Sequence, residues 1–530
     1  MSFSQVADYA NSWLERLNID VDKVVDLFVY DPSSPLLFNT GLFFVLFVAF
    51  IIIYRVFRST RTLRMLFVIL FSLFFYYKSS GLCCLILLGV AVSDFLLGLW
   101  MDAVRERGQR GVMRLIVALN VLANVGMLAY FKYFNLLIES VNSLFTTNFD
   151  TLELLLPAGI SFFTFRSISY IVDLYRGVLP ACRRPLDYIF FLTFFPPLLA
   201  GPVVRAKDML PQIAANPVAT REMTSQGVWL IIVGLIKKMV IADYISGNFV
   251  DRVFDNPALY SGFENLMATF GFTIQLYCDF SGYSDMAIGL ALLLGYKFAD
   301  NFNAPFKAES PTEFWHRWHI SLSTWLRDYV YIPLGGNRCS RPRAYFNQFA
   351  TMVIGGFWHG ASWMYVIWGG AHGLLLVGHK MVKGVLPHGA TREEITEEGE
   401  IVTRPTLGAR ILASPLLRGF NIIITFCFVA ATFMLFRARS LEDVSTMWTQ
   451  IFHNFHLDVA PQFVTGYLAI VCAMLFGYIV HITPSFITGR VRRWFCASPL
   501  IIQAILLALA ILIVIQVRSS DLVPFLYLQY

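Results

Sequence analysis

Three observations predict an all-α polytopic membrane protein. Hydrophobic residues make up 57% of the 530-residue chain and charged residues only 14%. Soluble chains average roughly 45–50% apolar and about 25% charged, so both figures shift in the direction that lipid-facing helices impose. The mean hydropathy is +0.62, and the apolar residues gather into long runs separated by arginine-rich or Gly- and Pro-containing breaks. Water-soluble enzyme folds are excluded. The net charge of +6 is not arranged as a basic patch interleaved with aromatics, so it points to membrane orientation and away from nucleic acid. Transporter, channel, scaffold and intramembrane enzyme all stay open.

Taken in order, residues 1–37 lack the basic start, apolar run and cleavage site of a signal peptide, and read as an amphipathic interfacial segment. A transmembrane domain is expected over 38–517. One crossing needs roughly 20 mostly apolar residues. Such runs fall near 38–54, 63–78, 81–100, 114–131, 153–175, 186–204, 226–244, 264–297, 347–378, 415–436, 464–486 and 498–517, predicting 11–12 transmembrane helices with re-entrant or interfacial ones added. The 264–297 and 347–378 runs are too long for a simple span and contain Gly, polar and ionisable residues. Broken or re-entrant helices are expected in both, tolerated only where protein or a water-lined cavity surrounds them. Residues 388–410, with EEITEEGE, read as a solvated flexible insertion, and 518–530 as a tail. The eight cysteines lie mostly in apolar runs without metal-ligand or disulfide spacing and read as small core hydrophobes.

Orientation follows from arginines. Arg55, Arg58, Arg61 and Arg64 form one cluster, Arg105, Arg107, Arg110 and Arg114 a second, and Arg490, Arg492 and Arg493 a third. The positive-inside rule makes all three cytoplasmic, which puts the tail outside, along with 132–152, whose only basic residue is Lys132.

Ionisable residues in apolar runs are costly and each is a functional candidate. His316, His319, His359, His372 and His379 crowd into the tryptophan-rich middle of the chain, whereas His388, His453, His456 and His481 read as solvated or capping side chains. At about 100° per residue the segment PTEFWHRWHISLSTWLRDYVYIPLGG reads as one amphipathic helix. Phe314, Trp315, Trp318, Leu322, Trp325, Leu326 and Tyr329 share one face; Glu313, His316, Ser323 and Arg327 lie opposite, with His319 at the margin. His359 sits at the end of an apolar run beside Gly355, Gly356 and Gly360, which let a backbone or a ligand approach closely. A desolvated imidazole favours its neutral form, the form a general base needs. The competing reading is a packed histidine donating to a carbonyl. His316 and His319 without HExxH or a cysteine pair give little support for zinc, and no metal is expected. Asp279 and Asp285 could line an ion path, orient a histidine, or pair with Arg205 or Arg327; Asp94 is equally open. No GxSxG elbow is present. The tail DLVPFLYLQY is either an aromatic anchor or a mobile tyrosine nucleophile.

The segments LLPAGISFFTFRSISYIVDLYRG, PPLLAGPVVR, QLYCDFSGYSDMAIGLALLLGYKFADNFNAPF, EFWHRWHISLSTWLRDYVYIPLGGNR and GGFWHGASWMYVIWGGAHG resemble membrane-bound O-acyltransferases, specifically the bacterial alginate O-acetyltransferase group. The similarity is closest over 150–380. It implies a ring of helices around a thin central tunnel, a catalytic His359 in the WHG motif next to Trp358, and a second functional histidine at His319. Asp285, Asp279, Arg327, Ser323 and Trp358 are then expected to support the cavity. The tail resembles a PFxYxQF pattern whose tyrosine receives the acyl group, here Tyr527, with Tyr530 standing where the pattern has Phe. The resemblance further implies an acyl thioester donor such as acetyl-CoA or an acyl carrier protein, a bacterial inner membrane location and a periplasmic SGNH-type (hydrolase-fold) acetyltransferase partner. The acceptor would be a surface polysaccharide of alginate, cellulose or peptidoglycan type. Transport of a small polar substrate would require paired half-chain symmetry, which is not visible; D-alanyl transfer to teichoic acid keeps the chemistry and changes the donor.

Overall fold

The computed structural model describes residues 27–385, 391–395, 401–405 and 414–517. Most of the N-terminal interfacial segment, His388, and the tail with Tyr527 and Tyr530 lie outside the described residues. The regular secondary structure of the described residues is helical apart from one hairpin, Thr391–Ile395 paired antiparallel with Ile401–Pro405. That hairpin falls where a structureless insertion was expected; Ile395, Ile401, Val402 and Thr403 are β-branched residues that favour extended backbone. Five helical stretches among the described residues are long and apolar enough to cross a membrane: Gly41–Ser59, Arg61–Glu106, Arg110–Phe145, Pro415–Arg437 and Leu500–Val517. A sixth forms if Leu457–Gly466 and Leu468–Ile482, bent by 95°, make one span. Several other expected runs become shorter helices such as Ile160–Arg176 and Pro185–Thr193, most of whose residues are buried within protein.

The chain divides into two compact units. The first comprises Met1–Val125 and Glu153–Leu199. Its core is aromatic: Phe195 is surrounded by Phe38, Phe43, Phe47, Phe50, Phe71 and Phe75 at ring distances of 5.1–6.5 Å. Leu36 and Leu37, at the end of the expected interfacial segment, are buried in this unit. Asp94 is buried as well. Its carboxylate accepts hydrogen bonds from Asn120 Nδ2, Ser167 Oγ and Tyr188 OH, each at 2.8 Å, so donors from three other helices answer the question the sequence left open.

The second unit comprises Gly126–Leu152 and Ala200–Tyr530 and is organised on the helix Gly262–Leu293. A capping box starts it: the hydroxyl of Ser261 accepts from the amide of Glu264, whose carboxylate accepts from the amide of Ser261. The helix runs unbroken for 32 residues where an interruption was expected. The reason lies in what its glycines do. Gly282 and Gly289 face Gly234 and Gly227 of the helix Arg221–Leu235. A Cβ added at Gly282 would stand 2.8 Å from the carbonyl oxygen of Gly234, and one at Gly289 would stand 2.7 Å from that of Gly227. These glycines are seats for a second backbone, the small-residue contact by which helices associate where lipid supplies no hydrophobic drive. The partner helix continues into π-helical turns over Ile236–Asp243. From there Lys237 reaches Asp285 at 2.7 Å, and the buried Lys238 pairs with Asp243 at 2.7 Å and with Asp279.

The close crossing gives a stability prediction. Gly282→Leu forces the two helices apart, and overpacking of this kind costs about 1–3 kcal/mol or more. Thermal unfolding of detergent-solubilised protein should occur well below wild type for Gly282→Leu, and unchanged for Gly370→Ala, where an added Cβ meets nothing within 4 Å.

Candidate active site

The expected single amphipathic helix over 311–336 is two short helices, Pro311–Arg317 and Ile320–Leu326, followed by a π-helical turn over Arg327–Tyr331. His319 stands at the break with φ of +43°, the left-handed conformation that non-glycine residues seldom adopt. Hydrogen bonds from a neighbouring loop replace those of a continuous helix. The carbonyl of Asn301 accepts from the amide of Ile320 at 2.9 Å, and the amide of Asn303 donates to the carbonyl of Arg317 at 2.9 Å. The side chain Oδ1 of Asn301 accepts from the hydroxyl of Ser321 at 2.8 Å, from its amide at 3.2 Å, and lies 3.2 Å from His319 Nδ1. Since that oxygen only accepts, Nδ1 carries the proton and Nε2 the lone pair. His319 is fully buried, edge-on to Phe280 at 4.6 Å.

The 347–378 run does break, as its composition suggested. Helix Arg341–His359 ends at His359, and helix Trp363–Val385 begins after a short connection. Glycines again let backbones touch: a Cβ at Gly356 would lie 2.3 Å from the carbonyl oxygen of Tyr365, and one at Gly369 would lie 2.5 Å from that of Met352. Of the two uses open for Gly356 and Gly360, close packing is the one observed. Gly360 abuts the Tyr365 ring.

His359 is 3% exposed and held among Trp358, Trp368 and Phe436 at ring distances of 4.9, 5.1 and 5.2 Å. Trp358 also lies 6.2 Å from His319, so the two expected histidines flank one indole. His372 bonds to Thr432 at 3.0 Å and His379 to Thr312 at 3.0 Å, the packed role for both. His481 is no solvated cap: it is buried against Tyr277 and Phe306, and its Nε2 accepts from the amide of Phe306 at 3.1 Å. His453 and His456 are exposed. Among the described residues no group of three His, Cys, Asp or Glu side chains could hold a metal.

Beside this centre lies a cavity of about 690 Å³, with Glu313, His316, Ser323, Arg327, Lys380 and Lys383 on its walls. Trp315 also lines it, and Trp315 lies 5.7 Å from Trp368, itself in contact with His359. Ser323 and Arg327 line this cavity. Asp279 and Asp285 are tied to lysines of the adjacent helix, and the arginines considered for them, Arg205 and Arg327, both pair with Asp328 instead. Burial raises the Asp328 carboxyl, but hydrogen bonds from Arg327 and Arg205 outweigh it and hold the group below its ordinary range. The sequence reading missed Lys132, used there only as a topology marker. Its ammonium donates to the carbonyls of Trp358 at 2.8 Å and His359 at 2.9 Å. A lysine embedded in an aromatic apolar stretch is the signal that could have found it. Trp368, Phe436 and Asn301 carried no comparable mark.

Comparison with known proteins shows what this chain is similar to. The model of the membrane-bound O-acyltransferase family matches residues 184–394, which contain both histidines. A probable alginate O-acetylase of Pseudomonas aeruginosa is 38% identical over 423 residues, covering 79% of this chain and 75% of its own. A peptidoglycan O-acetyltransferase of Helicobacter pylori is 35% identical over 438 residues, covering 77% and 78%. A teichoic acid D-alanyltransferase of Bacillus subtilis is 30% identical over 230 residues, covering 41% of this chain and 57% of its own.

The burial of His319 has a consequence for pH. Desolvation pushes its pKa from the ordinary 6.5 down to about 3. The unfolded chain takes up a proton that the native ring refuses, so this histidine's contribution is complete above its unfolded value and declines as the pH falls toward the folded one. Unfolding temperatures measured between about pH 7 and 5 should fall more steeply for wild type than for His319→Gln. Equal slopes would contradict the assignment.

Proposed function

The chain belongs to the membrane-bound O-acyltransferase family and is an O-acyltransferase, and from that premise we propose that it moves an acetyl group from a cytoplasmic thioester across the inner membrane toward a surface polysaccharide. His359 is the general base in this reading. It takes the proton of an acceptor hydroxyl, whose oxygen attacks the thioester carbonyl; the tetrahedral intermediate collapses, and the departing thiolate recovers the proton from the imidazolium. The observation that carries the reading is the buried His359, walled by Trp358, Trp368 and Phe436 and separated from a basic cavity by two tryptophans. Desolvation keeps an imidazole neutral and ready to accept a proton. Arg327, Lys380 and Lys383 suit the phosphates of acetyl-CoA, with Ser323 as a further polar contact.

His319 carries its lone pair on Nε2 and therefore cannot polarise a carbonyl by donation in this tautomer. Its role is to orient the centre from the opposite side of Trp358. Asp279 and Asp285 act on the frame, through Lys238 and Lys237. The acetyl group is carried by Tyr527 on the external tail and passed to a periplasmic SGNH-type acetyltransferase, which places it on a glycan of alginate, cellulose or peptidoglycan type. In this reading the chain carries an interfacial segment over 1–37, whose last residues Leu36 and Leu37 fold into the first unit, a transmembrane domain over 38–517 and a tail over 518–530.

His359→Ala should abolish acetylation of the surface glycan while the protein is still inserted and folded; retained acetylation would sink the mechanism. Tyr527→Phe should be inactive and Tyr530→Phe active. Mass spectrometry of the C-terminal peptide that finds the ester only on Tyr530 would reverse the assignment. Thiol release from acetyl-CoA by the purified protein distinguishes this donor from a carrier-protein thioester.

A further inference from the structure

The helix that ends in His359 leaves its last carbonyls without partners inside the helix, as every helix does. Three are met by two consecutive side chains of one distant turn. Lys132 donates to the carbonyls of Trp358 and His359 at 2.8 and 2.9 Å, and the hydroxyl of Tyr133 donates to that of Phe357 at 3.1 Å. The Tyr133 ring stacks on Phe357 at 4.2 Å, and Lys132 lies over the Trp358 ring at 5.9 Å. Both residues sit in the π-helical turn Ala129–Tyr133. After that turn, Ser140 accepts from Trp363 Nε1 at 3.3 Å, tying the segment to the far side of the break. Water or a neutral donor could cap a helix end, and an ammonium in an apolar stretch is costly. A cation here must offset that cost, and at a helix C-terminus it stabilises the aligned carbonyl dipoles.

We propose that Lys132 is a positioning residue for acyl transfer, clamping the terminal carbonyls of the helix so that the His359 imidazole is held against the reacting hydroxyl. The inference rests on the assignment of His359 as the base. The clamp acts on the backbone of the residue that bears the imidazole, so releasing it shifts the ring without removing any group from the centre. A displacement near 1 Å costs about a hundredfold in turnover.

The test compares Lys132→Met, Lys132→Arg and His359→Ala in the full-length purified protein, with thiol release from acetyl-CoA and backbone amide exchange read on the same preparations. Lys132→Met should lower kcat about a hundredfold with KM for acetyl-CoA within about twofold. Exchange around 358–363 should quicken about tenfold while 341–352 is unchanged. Lys132→Arg, which keeps the charge and donors, should restore most of kcat. If Lys132→Met is not recovered as folded protein, Lys132→Gln, which keeps a donor without the charge, is read in its place. Unchanged kcat, a loss confined to KM, or unchanged exchange at the helix end overturns the proposal. Turnover retained in His359→Ala defeats the reading of His359 instead, and turnover absent from wild type defeats acetyl-CoA as the donor; in both cases the exchange data still decide whether Lys132 holds the helix end.

Discussion

Backbone touching backbone is the contact on which the second unit depends. Where Gly227 and Gly234 meet Gly289 and Gly282, two helices approach until each glycine lies under the other's carbonyl. At that separation Lys237 and Lys238 reach Asp285 and Asp279. Buried ion pairs of this kind return little net stability, because desolvation consumes most of the Coulomb energy. Their value is in register: a helix displaced by one turn would part Lys237 from Asp285 and Lys238 from Asp279, although Lys238 would keep Asp243 of its own segment. The same solution recurs at Gly356 and Gly369, where it sets the break that follows His359.

The centre itself combines a dry aromatic lining with a small number of backbone-directed polar contacts. Asn301 breaks the helix at His319 and selects its tautomer with one oxygen. Near His359, Lys132 donates to the last carbonyls of the helix from more than 200 residues away in the sequence. Both residues bond to backbone beside an imidazole: Asn301 to that of Ile320 and Ser321, Lys132 to that of Trp358 and His359. The charged side chains are kept one or two rings away, on the cavity wall, so a charged cavity and a desolvated imidazole have adjacent but different surroundings.

Much of this was legible in the sequence. Composition and run length identified a helical membrane protein, and the glycine-flanked position of His359 announced a break at the end of an apolar run. His319 lay at the margin of the helical wheel because it belongs to neither face: it is the residue at which the helix stops. Periodicity could not reveal that stop, since the bonds that cause it come from Asn301 and Asn303 in another loop. Glycine content misled in the helix Gly262–Leu293, where residues read as points of interruption are points of contact. His481 misled for a similar reason, because closeness to a helix end says nothing about the Tyr277 and Phe306 rings that enclose it. Lys132 was visible as an oddity, but its target lies more than 200 residues away, a distance over which sequence pattern carries no information.

The polar knot at Asp94 bears on how the molecule is made. Asn120 follows it by 26 positions, Ser167 by 73 and Tyr188 by 94. A chain inserted from its N-terminus therefore exposes this carboxylate to the bilayer well before its last donor has been synthesised. The early helices must wait, either at the insertion machinery or with the carboxyl protonated, until the helix Pro185–Thr193 arrives. The full set of hydrogen bonds to Asp94 can therefore form only once the helix Pro185–Thr193 has been synthesised.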